Sequence, residues 1–154
     1  MSQNDMEYTG SITQDFEGYS LTRYQDGGGI WTIGRGHLWH PNDPTPCTPE
    51  QVELWFKTDM ARSSNAVNDL VAVDVNQDQF NALCDFVFNL GDGALHSSTL
   101  LKRLNVRDFE GARGQFIAWD HIRIDGALET SPGLLRRREA EQELFLPIIP
   151  THSV

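Results

Sequence analysis

The sequence predicts an α+β chain that is mostly helix, with a small sheet near its N-terminus. Three observations carry that expectation. Asp26-Gly-Gly-Gly-Ile-Trp-Thr-Ile-Gly-Arg-Gly-His37 places a glycine turn before a short β-branched and aromatic run, the pattern of a small hairpin or three-stranded sheet. From Val52 through Trp55, Phe56, Met60, Val67 and Leu70, apolar residues recur at three- and four-residue steps, the period of one buried helix face. A second stripe of this kind, Phe80, Leu83, Cys84, Val87 and Phe88, stops at Gly91. A chain of 154 residues, 39% of them hydrophobic, buries roughly 68–70% of its unfolded surface, enough for one substantial core with two lobes around a shared element.

Each element follows in order. After a polar start, a short helical turn is expected to end at Glu17-Gly18, with the sheet following at once. The segment His40 to Pro49 carries Pro41, Pro44, Pro46 and Pro49, so regular structure waits until Thr48-Pro49-Glu50-Gln51. There Thr48 can cap, Pro49 suits a first turn and Gln51 completes a capping box. The helix is expected to reach about Val71, roughly 34 Å at 1.5 Å per residue, long enough to link two lobes. Asn76, with Gln79 as its partner, caps the next helix. Shorter helices are expected over about Ser98 to Leu104, about Asp108 to Ala118, and from Ser131-Pro132 to before Pro147. On this reading the second half is all helix, and the tail Ile148 to Val154 has no readable role.

Composition removes several function classes. Twelve Lys+Arg stand against 22 Asp+Glu, a formal charge of −10, which argues against a broad basic face and so against a nucleic-acid partner. Positive charge concentrates at Arg136-Arg137-Arg138. No apolar run approaches the roughly 20 residues of a membrane span, and Met1 to Phe16 is polar and acidic, so neither membrane insertion nor a signal peptide is expected. Cys47 and Cys84 are too few for a disulfide framework, which points to synthesis in a reducing cytosol, with Cys84 a small core residue.

Chemistry is suggested at Asp15-Phe-Glu17-Gly-Tyr. A carboxylic acid among Phe16, Tyr19, Tyr24 and Trp31 would have its pKa raised by desolvation and could protonate a leaving group. Asp26, in the glycine turn, would stay solvated and ionised, and the Thr32 hydroxyl could orient a water. Two carboxylates in unlike environments are the machinery of glycoside hydrolysis, although an Asp before glycines is also an ordinary turn former. A zinc site built on His37-x-x-His40 and Cys47 finds no third ligand at convincing spacing.

The string Phe16-Glu17-Gly18, Leu21, Tyr24-Gln25-Asp26, Gly29, Trp31-Thr32-Ile33-Gly34, Gly36-His37 resembles the phage-type lysozymes of glycoside hydrolase family 24, the endolysins that include the lysozymes of T-even and lambdoid phages. The resemblance continues through Gln79-Phe80-Asn81-Ala82-Leu83, Phe88-Asn89-Leu90-Gly91, Ser98-Thr99-Leu100-Leu101, Leu104-Asn105, Phe116, Trp119, Gly133-Leu134 and Arg136-Arg137-Arg138-Glu139, over about residues 14 to 146. It implies a two-lobed, lysozyme-like single catalytic domain, 1–154. The N-terminal lobe, about 14–60, would hold the sheet, the linking helix would run over about 49–71, and the helical lobe over about 72–146.

The resemblance further implies that Glu17, Asp26 and Thr32 are the catalytic triad, with Glu17 the general acid and Asp26 and Thr32 positioning water. Inversion by that route needs carboxyl groups roughly 6.5–9.5 Å apart, whereas retention needs about 5–5.5 Å. Asn89, Arg35, Tyr24 and His37 are the substrate-contact candidates. For His37 a tie between sheet and helix is the competing role, for Asn89 helix capping. Arg35 stands where many relatives carry Tyr; it would meet substrate carboxylates, pair with Glu17 or Asp26, or face solvent. The loop Leu38 to Cys47, with Trp39 and His40, would form a cleft wall or a stiff connection. Of the arginine run, at least one member is expected to be structural.

The implied substrate is peptidoglycan, cut between N-acetylmuramic acid and N-acetylglucosamine for host-cell lysis, with no metal or organic cofactor. The implied protein is a monomer made in the host cytoplasm that reaches the periplasm and cell wall through a separate holin or other delivery system. A secreted antibacterial effector with the same chemistry, or a non-catalytic peptidoglycan-binding protein on the same scaffold, are the alternatives.

Overall fold

The computed structural model describes residues 5–124 and 126–146; the tail Ile148 to Val154 lies outside them. Helix α1 (Ile12–Phe16) leads into strands β1 (Ser20–Gln25), β2 (Trp31–Gly34) and β3 (His37–Leu38), an antiparallel sheet in the order β1-β2-β3. Tyr24 sits opposite Thr32 and Ile33 opposite His37. The expected sheet is therefore three-stranded. Gly36, in the β2–β3 turn, has φ +70°, a backbone region that side chains other than glycine reach only with strain.

Helix α2 (Pro49–Leu70) starts as the sequence suggests: the Thr48 hydroxyl accepts from the Gln51 N–H at 3.1 Å and Pro49 is its first residue. The full capping box expected there is not among the described bonds, whereas at α3 (Gln77–Leu90) both halves form between Asn76 and Gln79. One end of α2 packs Val52 with Ile33 and Cys47 of the sheet region, with Leu21, Trp39 and Trp55 around them. Its other end contributes Met60 and Val67 to the larger helical core. One helix thus belongs to two apolar clusters, which is what its length and continuous stripe prepare.

The helical core is built on α3. Phe80, Leu83, Cys84 and Phe86 are fully buried there. They pack with α4 (Asp92–His96), α5 (Thr99–Asn105), α6 (Phe109–Gln115), a 3-10 turn (Phe116–Trp119) and α7 (Pro132–Leu144). Phe86 meets Phe116 and Trp119 edge-on at 5.8 and 5.5 Å, a favoured geometry for aromatic quadrupoles. Cys84 lies inside this core, where burial pushes its thiol up to about 12; Cys47 lies in the other cluster, and both are free. Among the described residues no helix is long and apolar enough to cross a membrane.

The expectation of an all-helical second half is wrong. Strands β4 (His121–Ile124) and β5 (Ala127–Thr130) pair antiparallel, His121 opposite Thr130 and Ile124 opposite Ala127. The signal was present in His121-Ile-Arg-Ile124 followed by Asp125-Gly126, an alternation ending in a hairpin dipeptide. Every residue of β5 is exposed, so the hairpin has little apolar face to announce it. Helix α4 also went unanticipated, and the helix expected to run to Ala118 tightens to 3-10 geometry from Phe116.

Candidate active site

Glu17 caps the C-terminal end of α1, its N–H donating to the Thr13 carbonyl at 2.9 Å. A five-residue helix feeding a strand leaves this side chain at the junction between the sheet and α7. Its Oε2 accepts from Arg137 Nη1 at 2.7 Å, and the carboxylate is 16% exposed. Its Oε1 lies against Gly36, where any Cβ would collide with it and approach Phe88 Cε1 to 3.1 Å. Glycine is required at position 36 for this reason as well as for its φ. Glu17 is thus held by an ion pair rather than by the aromatic pocket expected from sequence; the Phe16 ring lies 5.7 Å from the guanidinium.

Arg137, on α7, is buried and reaches two other helices. Its Nε and Nη2 donate to both oxygens of Asp85 on α3, at 2.9 and 2.7 Å, a bidentate fork of the kind guanidinium geometry favours. Asp85 also accepts from the Thr13 hydroxyl of α1 at 2.7 Å. Arg138, fully buried, donates to Asn89 Oδ1 at 2.8 Å and to Glu141 Oε2 at 3.0 Å. Two of the three adjacent arginines are therefore structural, and Arg136 lines the cleft.

Burial raises the Asp85 pKa, but hydrogen bonds with Glu141, Arg137 and Thr13 outweigh it and hold the carboxyl below its ordinary value. Glu141 goes the other way: burial, then its hydrogen bond with Asp85 and that group's charge, raise it well above 4.5.

A pH dependence follows. A carboxyl whose folded pKa is raised stabilises the fold fully below its unfolded value and loses that contribution as pH rises to the folded value, at about 1.4 kcal/mol per pH unit. Glu141→Gln reproduces the protonated acid. Its melting temperature relative to wild type is expected to climb as pH is raised above about 4.5, in melts compared across that range. A relative melting temperature that falls with pH would show that Glu141 is ionised in the fold.

Asp26 forms the turn after β1. Its Oδ1 accepts from Gly28 N–H at 2.9 Å and Ile30 N–H at 2.8 Å, while the Thr32 hydroxyl donates to the Ile30 carbonyl at 2.9 Å. The backbone of Ile30 therefore ties Asp26 to Thr32. With its proton committed, the Thr32 oxygen is left as an acceptor. Tyr24 faces the same space: burial, then the charges of Glu17 and Asp26, raise its phenol above the ordinary value, so it remains an O–H donor. Glu17, Tyr24, Asp26, Thr32 and Asn89 all line an open cleft of about 990 Å³.

His37 lines the cleft too, but Nδ1 lies 2.7 Å from Asp59 Oδ2 and the ring stacks on Trp55 at 4.5 Å. This is the tie between β3 and α2. Asn89 carries its carbonyl bond to Arg138, which leaves its amide N–H groups for the cleft. Arg35 points elsewhere: its Nε and Nη2 donate to Glu53 at 3.2 Å, its guanidinium lies 5.0 Å from the Tyr19 ring, and it pairs with neither Glu17 nor Asp26.

Sequence reasoning missed Asp85 and Asp59. Asp85 had a signal, a lone acid inside Ala82-Leu-Cys-Asp-Phe-Val-Phe88, where an unpaired charge would be costly. Asp59 had none, because an acid on an amphipathic helix is ordinarily solvated.

Comparison with known proteins agrees with this architecture. Residues 14–141 match the family model described as phage lysozyme. The chain is 40% identical over 134 residues, 87% of its length, to the endolysin of Acyrthosiphon pisum secondary endosymbiont phage 1, covering 92% of that protein. Among solved structures, the endolysin from Escherichia coli O157:H7 phage FAHEc1 superposes with a TM-score of 0.82 at 30% identity, over 94% of this chain and 96% of that one. The muramidase domain of SpmX from Asticaccaulis excentricus gives 0.78 at 31% identity, over 89% and 93%.

Proposed function

The chain belongs to the phage lysozyme family, and from that premise we propose that it is a muramidase hydrolysing the β-1,4 bond between N-acetylmuramic acid and N-acetylglucosamine in peptidoglycan. The supporting observation is one cleft lined by Glu17, Asp26 and Thr32, with the two carboxylates held differently. Glu17 is fixed by Arg137 and Gly36; Asp26 sits in an exposed turn.

In this reading Glu17 delivers a proton from Oε1, the oxygen Arg137 leaves alone, to the glycosidic oxygen as the bond breaks. Asp26 stabilises the positive charge developing at the sugar's anomeric carbon. A water accepted by Asp26 and the Thr32 oxygen attacks that carbon and gives its proton to Asp26. Tyr24 and the Asn89 amide offer donors to sugar hydroxyl and acetamido groups. No step calls on a cofactor, since proton donor and charge stabiliser are side chains. The same reading takes residues 1–154 as one catalytic domain, acting as a monomer in lysis and released from the host cytoplasm to the wall by a separate holin.

Digestion of purified Gram-negative peptidoglycan, with mass spectrometry of the fragments, tests the reaction. New reducing ends carried by muramic acid are expected, and proton NMR of early product should show the α-anomer if water attacks opposite the leaving group. An anhydro-muramic product would replace hydrolysis by intramolecular transglycosylation.

A further inference from the structure

We propose that His37, His40 and Asp43 form a binding site for a divalent cation of the zinc class on the wall of the cleft. The sequence offered two histidines and no third ligand; the turn after β3 supplies one. Asp43 N–H donates to the His40 carbonyl at 2.8 Å, and Asp43 Oδ2 accepts from the His40 N–H at 2.9 Å. The turn thereby returns a carboxylate to the imidazoles, and one ligand atom from each of the three residues lies within 4.8 Å of the others.

The spacing suits a small cation. His40 Nδ1 is 3.6 Å and His37 Nε2 4.0 Å from Asp43 Oδ2. Bonds of about 2.0–2.1 Å in tetrahedral zinc sites set ligand-to-ligand edges of about 3.3–3.4 Å, so these edges need to close by well under about 1 Å. The His40 side chain is 64% exposed and free to swing inward.

Chemistry selects the metal. His37 shares the proton of Nδ1 with Asp59 at 2.7 Å and is clamped flat against Trp55. That leaves His37 Nε2, 4.0 Å from Asp43 Oδ2, as the ring nitrogen open to a cation. A carboxylate behind a histidine is also the usual support of a metal ligand, fixing its tautomer and raising its basicity. Two imidazole nitrogens and one oxygen favour zinc-class ions over magnesium or calcium, which take oxygen ligands. Asp59 and Asp43 put two negative charges on this wall, only one met by Arg62, 3.5 Å from Asp59. A bound dication meets the Asp43 carboxylate and pins the proline-rich loop to β3. The fourth coordination position is left for water, and His37 and His40 both face the cleft.

The test uses the full chain without a histidine tag, treated with chelator and dialysed. Titration with Co²⁺ should give one equivalent bound with the visible absorption of a low-coordinate site, displaced by Zn²⁺, and Zn²⁺ should raise the melting temperature because it binds the folded state. His40→Ala and Asp43→Asn should each weaken Zn²⁺ binding by at least about tenfold and remove the zinc-dependent rise, while His96→Ala behaves as wild type. His40 is exposed, so its variant reports on binding even if Asp43→Asn disturbs the turn. Absence of one-to-one binding, or binding unchanged in His40→Ala, overturns the proposal. Neither result touches the muramidase reading, which uses no metal.

Discussion

Replacing Glu17 by Gln is expected to lower reducing-end release from peptidoglycan by at least about a hundredfold while leaving the protein folded. General acid–base groups contribute about 10²–10⁴ in rate, and glutamine keeps the size of the side chain and its oxygen for Arg137 but carries no transferable proton. Stability should change little, because Arg137 retains its two bonds to Asp85 when Glu17 loses its charge. The assay is therefore paired with a thermal melt. A folded Glu17→Gln protein that still releases reducing ends at a tenth of the wild-type rate would remove Glu17 from the role of acid.

The second large effect is expected at Arg137. Arg137→Met removes the partner of a carboxylate that is wholly buried on α3, and breaking a buried pair from one side costs about 3–5 kcal/mol. At about 2–4 °C per kcal/mol for a chain of this size, the melting temperature should fall on the order of 10 °C. Activity should fall as well, because Glu17 loses the donor that fixes its Oε2.

The double variant Asp85→Asn/Arg137→Met separates the two consequences. Removing the stranded charge should restore part of the stability, whereas Glu17 remains unanchored and activity stays low. Recovery of activity together with stability would mean that Arg137 serves the fold alone and that Glu17 finds its position without it.

Much of this was legible in the chain because it rests on local physics. The caps at Thr48 and Asn76, the glycine stop at Gly91 and the stripes of α2 and α3 depend on residues three or four apart, so periodicity and capping chemistry read them directly. Glu17, Asp26 and Thr32 fall within sixteen consecutive residues, a short string whose motif and spacing survive in sequence. The β4–β5 hairpin carries only the short His121 to Ile124 alternation and the Asp125-Gly126 turn signal, because its exposed β5 adds no apolar alternation.

What tertiary structure alone decided is which charges meet. Arg137 stands 120 positions from Glu17 and 52 from Asp85, and α7 presents Arg137, Arg138 and Glu141 as its buried face, where apolar periodicity has nothing to detect. His37 found Asp59 and Arg35 found Glu53 by the packing of the sheet on α2. Hydrophobic pattern determines which elements form and which faces they bury, since burial is non-directional and summed over many residues. Ion pairs need two groups within a few ångströms and the exclusion of water around them, and only the assembled fold supplies both.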